Sequence, residues 1–261
     1  MRKLTTCLTL LAFALPAPAM AGLPWMKDKV PEGTVLPPTY GVGIDFFTMD
    51  QTYQLQSLSF DTPSIPPGTP ISGIGIDNKV EHRNIRFDAW VLPFLNAFVV
   101  YGNLDGKTDL NMANNSLGLP LSTVRIPYSG NVYGYGLTGV YGTDHWFASL
   151  TGTWTDTSLK GEINSNVSAT SYQLRVGTNW PRGQLWVGQH YIDADETHAG
   201  SIDFPLVGPV DFDVTLGNSS KTATILGTSV EIDDSLSLYL EFSVGPDRDS
   251  VLFHTEYRFG D

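Results

Sequence analysis

Apolar and polar residues alternate with period two along most of the chain, and a helical period is hard to find. Across 236–244, Leu236, Leu238, Leu240, Phe242 and Val244 alternate with Ser237, Tyr239, Glu241 and Ser243. The last segment sets Val251, Phe253, Tyr257 and Phe259 against His254, Glu256 and Arg258. Ile85, Phe87, Ala89 and Val91 oppose Asn84, Arg86, Asp88 and Trp90, and Tyr172, Leu174 and Val176 oppose Ser171, Gln173 and Arg175. The pattern predicts ten strands, near 40–50, 79–91, 94–105, 130–142, 145–157, 168–179, 183–194, 221–231, 234–245 and 248–259, with eight to twelve as the bounds. Tight turns near 92–93, 142–145, 180–183 and 233–234 alternate with longer links near 51–78, 106–129, 158–167 and 195–220. Only the link at 245–249 is short on the long-link side.

Such alternation suits a soluble β-sandwich or a membrane barrel, and three features favour the barrel. The strands run to ten or twelve residues, the length a tilted membrane strand needs. Short turns on one rim and long loops on the other are the plan of outer-membrane barrels. The third feature is the N-terminus. Arg2 and Lys3 precede an apolar stretch over 8–15, and Ala19-Met20-Ala21 is a small-x-small cleavage signal, so residues 1–21 read as a signal peptide. The expected fold is an all-β, antiparallel transmembrane barrel over 40–261, with 22–39 as a periplasmic N-terminal segment.

Composition narrows the classes further. Charged residues are 16% of the 261, against about 25% in an ordinary soluble domain. The one cysteine, Cys7, lies inside the leader, so disulfides and cysteine-based zinc sites are excluded. A net charge of −12 argues against a nucleic-acid partner, because phosphate needs a basic surface. Past the leader no run of 18 apolar residues occurs; the longest, 89–102, is broken by Pro93 and Asn96. The run Tyr133-Gly134-Tyr135-Gly136 places aromatics on one face and bare backbone on the other, and inward glycines would make room for bulky neighbours.

The stretch Arg86-Phe87-Asp88-Ala89-Trp90-Val91-Leu92-Pro93-Phe94-Leu95-Asn96 and the ending Glu256-Tyr257-Arg258-Phe259 carry a family resemblance. The chain resembles the small, mostly uncharacterised outer-membrane β-barrel proteins of Gram-negative bacteria. The resemblance implies export to the outer membrane and recognition of the aromatic last strand by the assembly machinery. Gly260 and Asp261 follow Phe259, a departure from the usual terminal aromatic. It implies no catalytic residue.

Candidate chemistry falls in three places. If apolar residues face lipid, the lumen receives Asp45, Arg86, Asp88, Arg175, Glu241, His254, Glu256 and Arg258, nearly balanced in charge. Charges out of water must be paired, so this set predicts an ion-pair network plugging a narrow barrel, or else the lining of a small pore. His82 beside Glu81 is the best candidate for a lipid-acting hydrolase, on the outer rim, and no catalytic residue is assigned. Six acids and His198 fall within 193–213 with no lysine or arginine among them. From that group Asp195, Glu196, Asp203, Asp211 and Asp213 could hold Ca²⁺ or Mg²⁺ and bridge to lipopolysaccharide, although no cofactor is required. Ile65-Pro66-Pro67, the stretch 117–121 and the stretch 204–210 put proline and aliphatics at long-loop tips, and 201–216 could form a hairpin beyond the membrane. The leading expectation is a non-enzymatic outer-membrane barrel with a side-chain-filled polar lumen. A narrow channel and a lipid-acting hydrolase are the alternatives. The expected partners are outer-membrane lipids, lipopolysaccharide and the assembly machinery.

Overall fold

The computed structural model describes residues 24–30, 36–61, 72–114, 116, 123–161, 163–204, 208–218 and 220–260, with backbone alone at a few strand tips. The signal-peptide reading of 1–21 and the proline-aliphatic motifs at 65–67 and 117–121 lie outside the described residues.

Eleven strands form one antiparallel sheet: β1 (Tyr40–Asp61), β2 (Gly75–Leu92), β3 (Leu95–Asn111), β4 (Thr123–Gly142), β5 (Trp146–Gly161), β6 (Ile163–Trp180), β7 (Gly183–Phe204), β8 (Gly208–Asn218), β9 (Thr222–Glu231), β10 (Leu236–Val244) and β11 (Arg248–Phe259). Ten of them, all but β8, close into a barrel through β7–β9 and β1–β11 pairing. Closure leaves no unpaired edge, the condition for putting a sheet in lipid. β8 enters only at the far end. There it pairs with β1 from Tyr53↔Asn218 to Asp61↔Asp211 and with β7 from Glu196↔Leu216 to Phe204↔Gly208. β9, β10 and β11 have ended below it, so the barrel narrows from ten strands to eight along its axis.

The expected turns at 93–94, 143–145, 181–182 and 232–235 are present on one rim. The opposite links differ from expectation. Most of the residues in the links read from the sequence as long loops are strand: β1 continues unbroken through 49–51 to Asp61, and β3, β4, β5, β6 and β7 all extend outward. The stretch 201–216 is the β7–β8 hairpin. These extensions hide in the sequence because Asp, Asn, Gly and Lys, poor strand formers, occupy their outward positions.

The outward positions explain both halves. In the lower barrel they are apolar and exposed: Ile44 and Phe46, Ile85 and Phe87, Val99 and Tyr101, Leu150, Leu174 and Val176. That belt is the surface a bilayer requires. Further along the same strands the outward residues become Thr48, Asp50 and Thr52 on β1, Arg83, Glu81 and Asp77 on β2, and Asn103, Asp105 and Lys107 on β3. Inward residues change in the opposite sense. Asp45, Asn84 and Arg86 give way to buried Tyr53, Val80, Ile76 and Leu104. Val80, Leu104, Val132 and Leu159 form one apolar cluster, and Tyr53, Ile76 and Leu216 another. The lower barrel is apolar outside and polar inside. The upper section is polar outside and apolar inside, as in a soluble protein.

Inward glycines admit the large rings. A Cβ on Gly136 would overlap Phe98, and one on Gly227 would overlap Trp186. Tyr133 and Tyr135 point outward from the same strand as Gly136. The N-terminal segment meets the short-turn rim, where Trp25 N–H donates to Val91 O (3.0 Å) and Trp90 N–H to Thr39 O (2.9 Å).

Candidate functional site: the lumen

All eight charged residues assigned to the lumen face inward, and the register sorts seven of them into two networks. In the first, β6, β7 and β10 converge on Glu241, which is 4% exposed. Arg175 Nε donates to its Oε2 (2.9 Å), Trp186 Nε1 to the same oxygen (2.8 Å) and Gln173 Nε2 to Oε1 (3.2 Å). Arg175 Nη2 also donates to Gln173 Oε1 (2.6 Å). The Trp186 and Tyr239 rings lie 4.5 Å apart beneath the same guanidinium, 5.8 and 5.5 Å from its carbon. A carboxylate with this many donors is fully hydrogen-bonded out of water, the condition for burying it.

The second network sits nearer the short-turn rim, across β1, β2 and β11. Arg258 Nη2 donates to Asp88 Oδ1 (2.6 Å), Nε to Glu256 Oε2 (2.8 Å) and Nη1 to Pro38 O (3.1 Å). Asn96 Nδ2 donates to Asp88. His254 Nδ1 is 2.6 Å from Asp45 Oδ1, and its Nε2 is 3.8 Å from Glu256 Oε1. β1 makes the space: a Cβ on Gly41 would strike Asp88 and one on Gly43 would strike His254.

The eighth residue, Arg86, joins neither network. Its guanidinium carbon lies 3.8 Å from the centre of the Phe98 ring.

The lumen is not filled throughout, contrary to the expectation of a side-chain plug. A cavity of about 570 Å³ remains, lined from Trp90 and Arg258 at one end to Tyr53 and Leu216 at the other. Rings and aliphatics at Phe47, Phe98, Val100, Phe147 and Trp186 share its wall with hydroxyl and amide side chains such as Ser149, Thr151, Thr153, Thr155 and Gln173. In the upper section Tyr128 Oη and Thr108 Oγ1 both donate to Asn78 Oδ1 (2.6 and 3.1 Å). Ten strands enclose more volume than these side chains occupy.

His82 is not on a rim. It faces the lumen, edge-on to Phe47 at 5.5 Å, while Glu81 is exposed on the other face of the strand. Successive strand residues point to opposite faces, so these neighbours cannot act together. Among the described residues no serine or carboxylate is hydrogen-bonded to His82.

The acidic group is dispersed along the β7–β8 hairpin. Asp211 and Asp213 are exposed on β8, opposite Ser201 and Ala199. Asp195, Glu196 and Asp203 belong to β7, and their side chains lie outside the described residues. The group is also not free of bases in space: Lys221, just before β9, pairs with Asp193 at 2.6 Å. That contact holds the Asp193 carboxyl below the usual range. Among the described residues no three histidine, cysteine or acidic side chains are placed to hold a metal ion.

Sequence reasoning missed Trp186, Tyr239, Gln173, Asn96 and Phe98. Trp186 and Tyr239 share the inward parity of Gly188 and Glu241, which was the available signal; aromatic residues on a barrel are more readily read as lipid-facing.

No protein-family model matches the chain, and no curated protein does. Solved structures do. The translocator domain of the autotransporter NalP from Neisseria meningitidis is similar over 89% of this chain and 91% of its own, at 14% identity and a TM-score of 0.43. The outer membrane protein OprG from Pseudomonas aeruginosa is similar over 85% of this chain and 97% of its own, at 12% identity and a TM-score of 0.43. The Ralstonia pickettii toluene transporter TbuX is similar over 87% and 90%, at 8% identity and a TM-score of 0.36. At these identities the likeness is one of fold.

Proposed function

We propose that the chain is an outer-membrane barrel that admits small, largely apolar molecules into its lumen. The observation that carries this reading is the 570 Å³ cavity, in whose wall Phe47, Phe98, Val100 and Phe147 stand among hydroxyl and amide side chains and the ion pairs. Its volume falls within the range of small-molecule sites, about 300–1,000 Å³, and its wall combines rings and aliphatics with hydroxyl, amide and charged groups. The outward apolar belt supports membrane residence, and the leader and aromatic-rich last strand support the outer membrane. Where β8 replaces β9–β11, the cluster of Tyr53, Ile76 and Leu216 would act as a constriction. Water and ions cross such a constriction poorly, and apolar solutes cross it readily.

Two measurements on one preparation test this. Planar bilayers should show little ionic conductance, well below that of an open pore. Vesicles with a lipopolysaccharide outer leaflet, which slows unaided entry of apolar solutes, should take up a small neutral aromatic such as benzyl alcohol faster when they carry the protein than when they do not. Large, steady conductance would mean an open aqueous pore, and uptake equal to that of empty vesicles would leave only a structural role.

A further inference from the structure

Among the described residues the lumen holds four carboxylates, and each has a cationic partner, although Asp88 Oδ2 is left without a hydrogen bond. Glu241 takes Arg175, Asp88 and Glu256 share Arg258, and Asp45 takes His254. Three guanidinium groups line the cavity, those of Arg86, Arg175 and Arg258, while a fourth, Arg248, is buried at the start of β11 against the Lys221 carbonyl; of the three, Arg86 is left over. Arg86 makes no hydrogen bond and no ion pair within 4 Å among the described residues, and its Nε is buried without a partner. It is not loosely placed. Phe98 underlies the guanidinium at 3.8 Å, and Phe98 itself rests on the bare backbone of Gly136. This cation–π contact fixes the plane of the fork while satisfying none of its donors. A second donor on the same strand face, Trp90 Nε1, is also buried and unpartnered. Both residues line the cavity.

The Arg86 Nε is cut off from water without an acceptor, while the rest of the half-buried guanidinium opens on the cavity, and a ligand carboxylate would satisfy the fork with two parallel hydrogen bonds. The wall beside Arg86 suits the rest of such a ligand. Val100 stands opposite Arg86 in the β2–β3 register, and Phe98 and Phe47 line the same cavity. We propose that Arg86 anchors the carboxylate of a small amphipathic acid whose ring or short chain occupies the apolar part of the lumen. This assignment rests on the reading of the lumen as a chamber for small molecules, and it adds the charge of the molecule and the residue that selects it.

The test is calorimetric titration of the purified, detergent-refolded protein with benzoate, benzamide and benzylammonium, each corrected against empty micelles. Benzoate should bind at least about tenfold more tightly than its neutral isostere benzamide, and benzylammonium should bind most weakly. Arg86→Gln should lower benzoate affinity about ten- to hundredfold, the effect of losing charge-assisted hydrogen bonds, and leave benzamide unchanged. Arg86→Lys keeps the charge without the fork and should fall between. Gel mobility before and after boiling checks that the variants fold, and the three-ligand ranking on the unaltered protein stands even if they do not. Equal binding of benzoate and benzamide overturns the role of Arg86 and leaves the chamber intact. Binding of none of the three overturns the chamber and the role of Arg86 together.

Discussion

Strands β1–β7 run through both the lower and the upper half of the barrel, yet the halves are opposite in chemistry. On β4, outward Leu137, Tyr135 and Tyr133 are followed by outward Asn131 and Ser129, while inward Thr138 and Gly136 are followed by inward Val132 and Ile126. Nothing in the β4 backbone marks the crossing; its ladder with β3 runs through it without a break. The lesson is that period two fixes which residues share a face, and composition along each face fixes what that face meets. Lipid and water are read from where the outward row changes character, and the lumen changes with it because each half needs one apolar side.

The largest effect belongs to the polar interior of the lower half. Glu241→Ala leaves Arg175 buried without its carboxylate and should cost about 3–5 kcal/mol. Denaturant unfolding in vesicles measures it, and a loss under 1 kcal/mol would mean that the network is wet and weak. The outward faces give the next effect. Leu150→Arg places a charge midway up the belt and should cost about 2–4 kcal/mol. Asn131→Arg, also outward but above the crossing, should change stability by less than about 0.5 kcal/mol. Equal costs at the two positions would erase the boundary. A smaller effect belongs to the apolar interior of the upper half, where Val132→Ala removes two methyl-sized groups from a buried cluster. It should cost about 2 kcal/mol by the same unfolding measurement.

The smallest effect concerns the upper exterior. Arg125 Nε donates to Asp109 Oδ1 (2.6 Å), and that hydrogen bond holds the Asp109 carboxyl below the usual carboxylate range. A depressed pKa contributes stability that is present above the ordinary carboxylate range and is lost as pH falls through the lowered value. The difference in thermal midpoint between the protein and Asp109→Asn should therefore be small at neutral pH and vanish in acid. It should also shrink with added salt, because the pair is solvent-exposed.

Much of this architecture was legible in the sequence. The lower strands, the tight turns and the inward set from Asp45 to Arg258 all follow from parity alone. The extensions did not, because Asp105, Lys107 and Asp109 on β3 weaken the strand signal even though Leu104, Thr108 and Leu110 keep its period. Partner choice was not legible either. Arg175 meets Glu241 across 66 residues and Arg258 meets Asp88 across 170, distances set by closure and register. The same holds for Lys221, which reaches Asp193 only because β9 pairs with β7. Parity assigns a residue to the lumen, and barrel geometry assigns its neighbour.

The central claim, that each long strand leaves the bilayer partway along its length, is tested most directly by cysteine labelling on intact cells. The sole native cysteine, Cys7, lies in the segment read as a cleaved leader, so single-cysteine variants carry one reactive thiol. Ser129→Cys and Leu137→Cys share the outward face of β4, and both positions are exposed. A membrane-impermeant maleimide should label Ser129→Cys from outside and leave Leu137→Cys unreacted until detergent strips the lipid and the protein is unfolded. Equal labelling of both on intact cells, or no labelling of Ser129→Cys, would contradict the division of these strands between lipid and water.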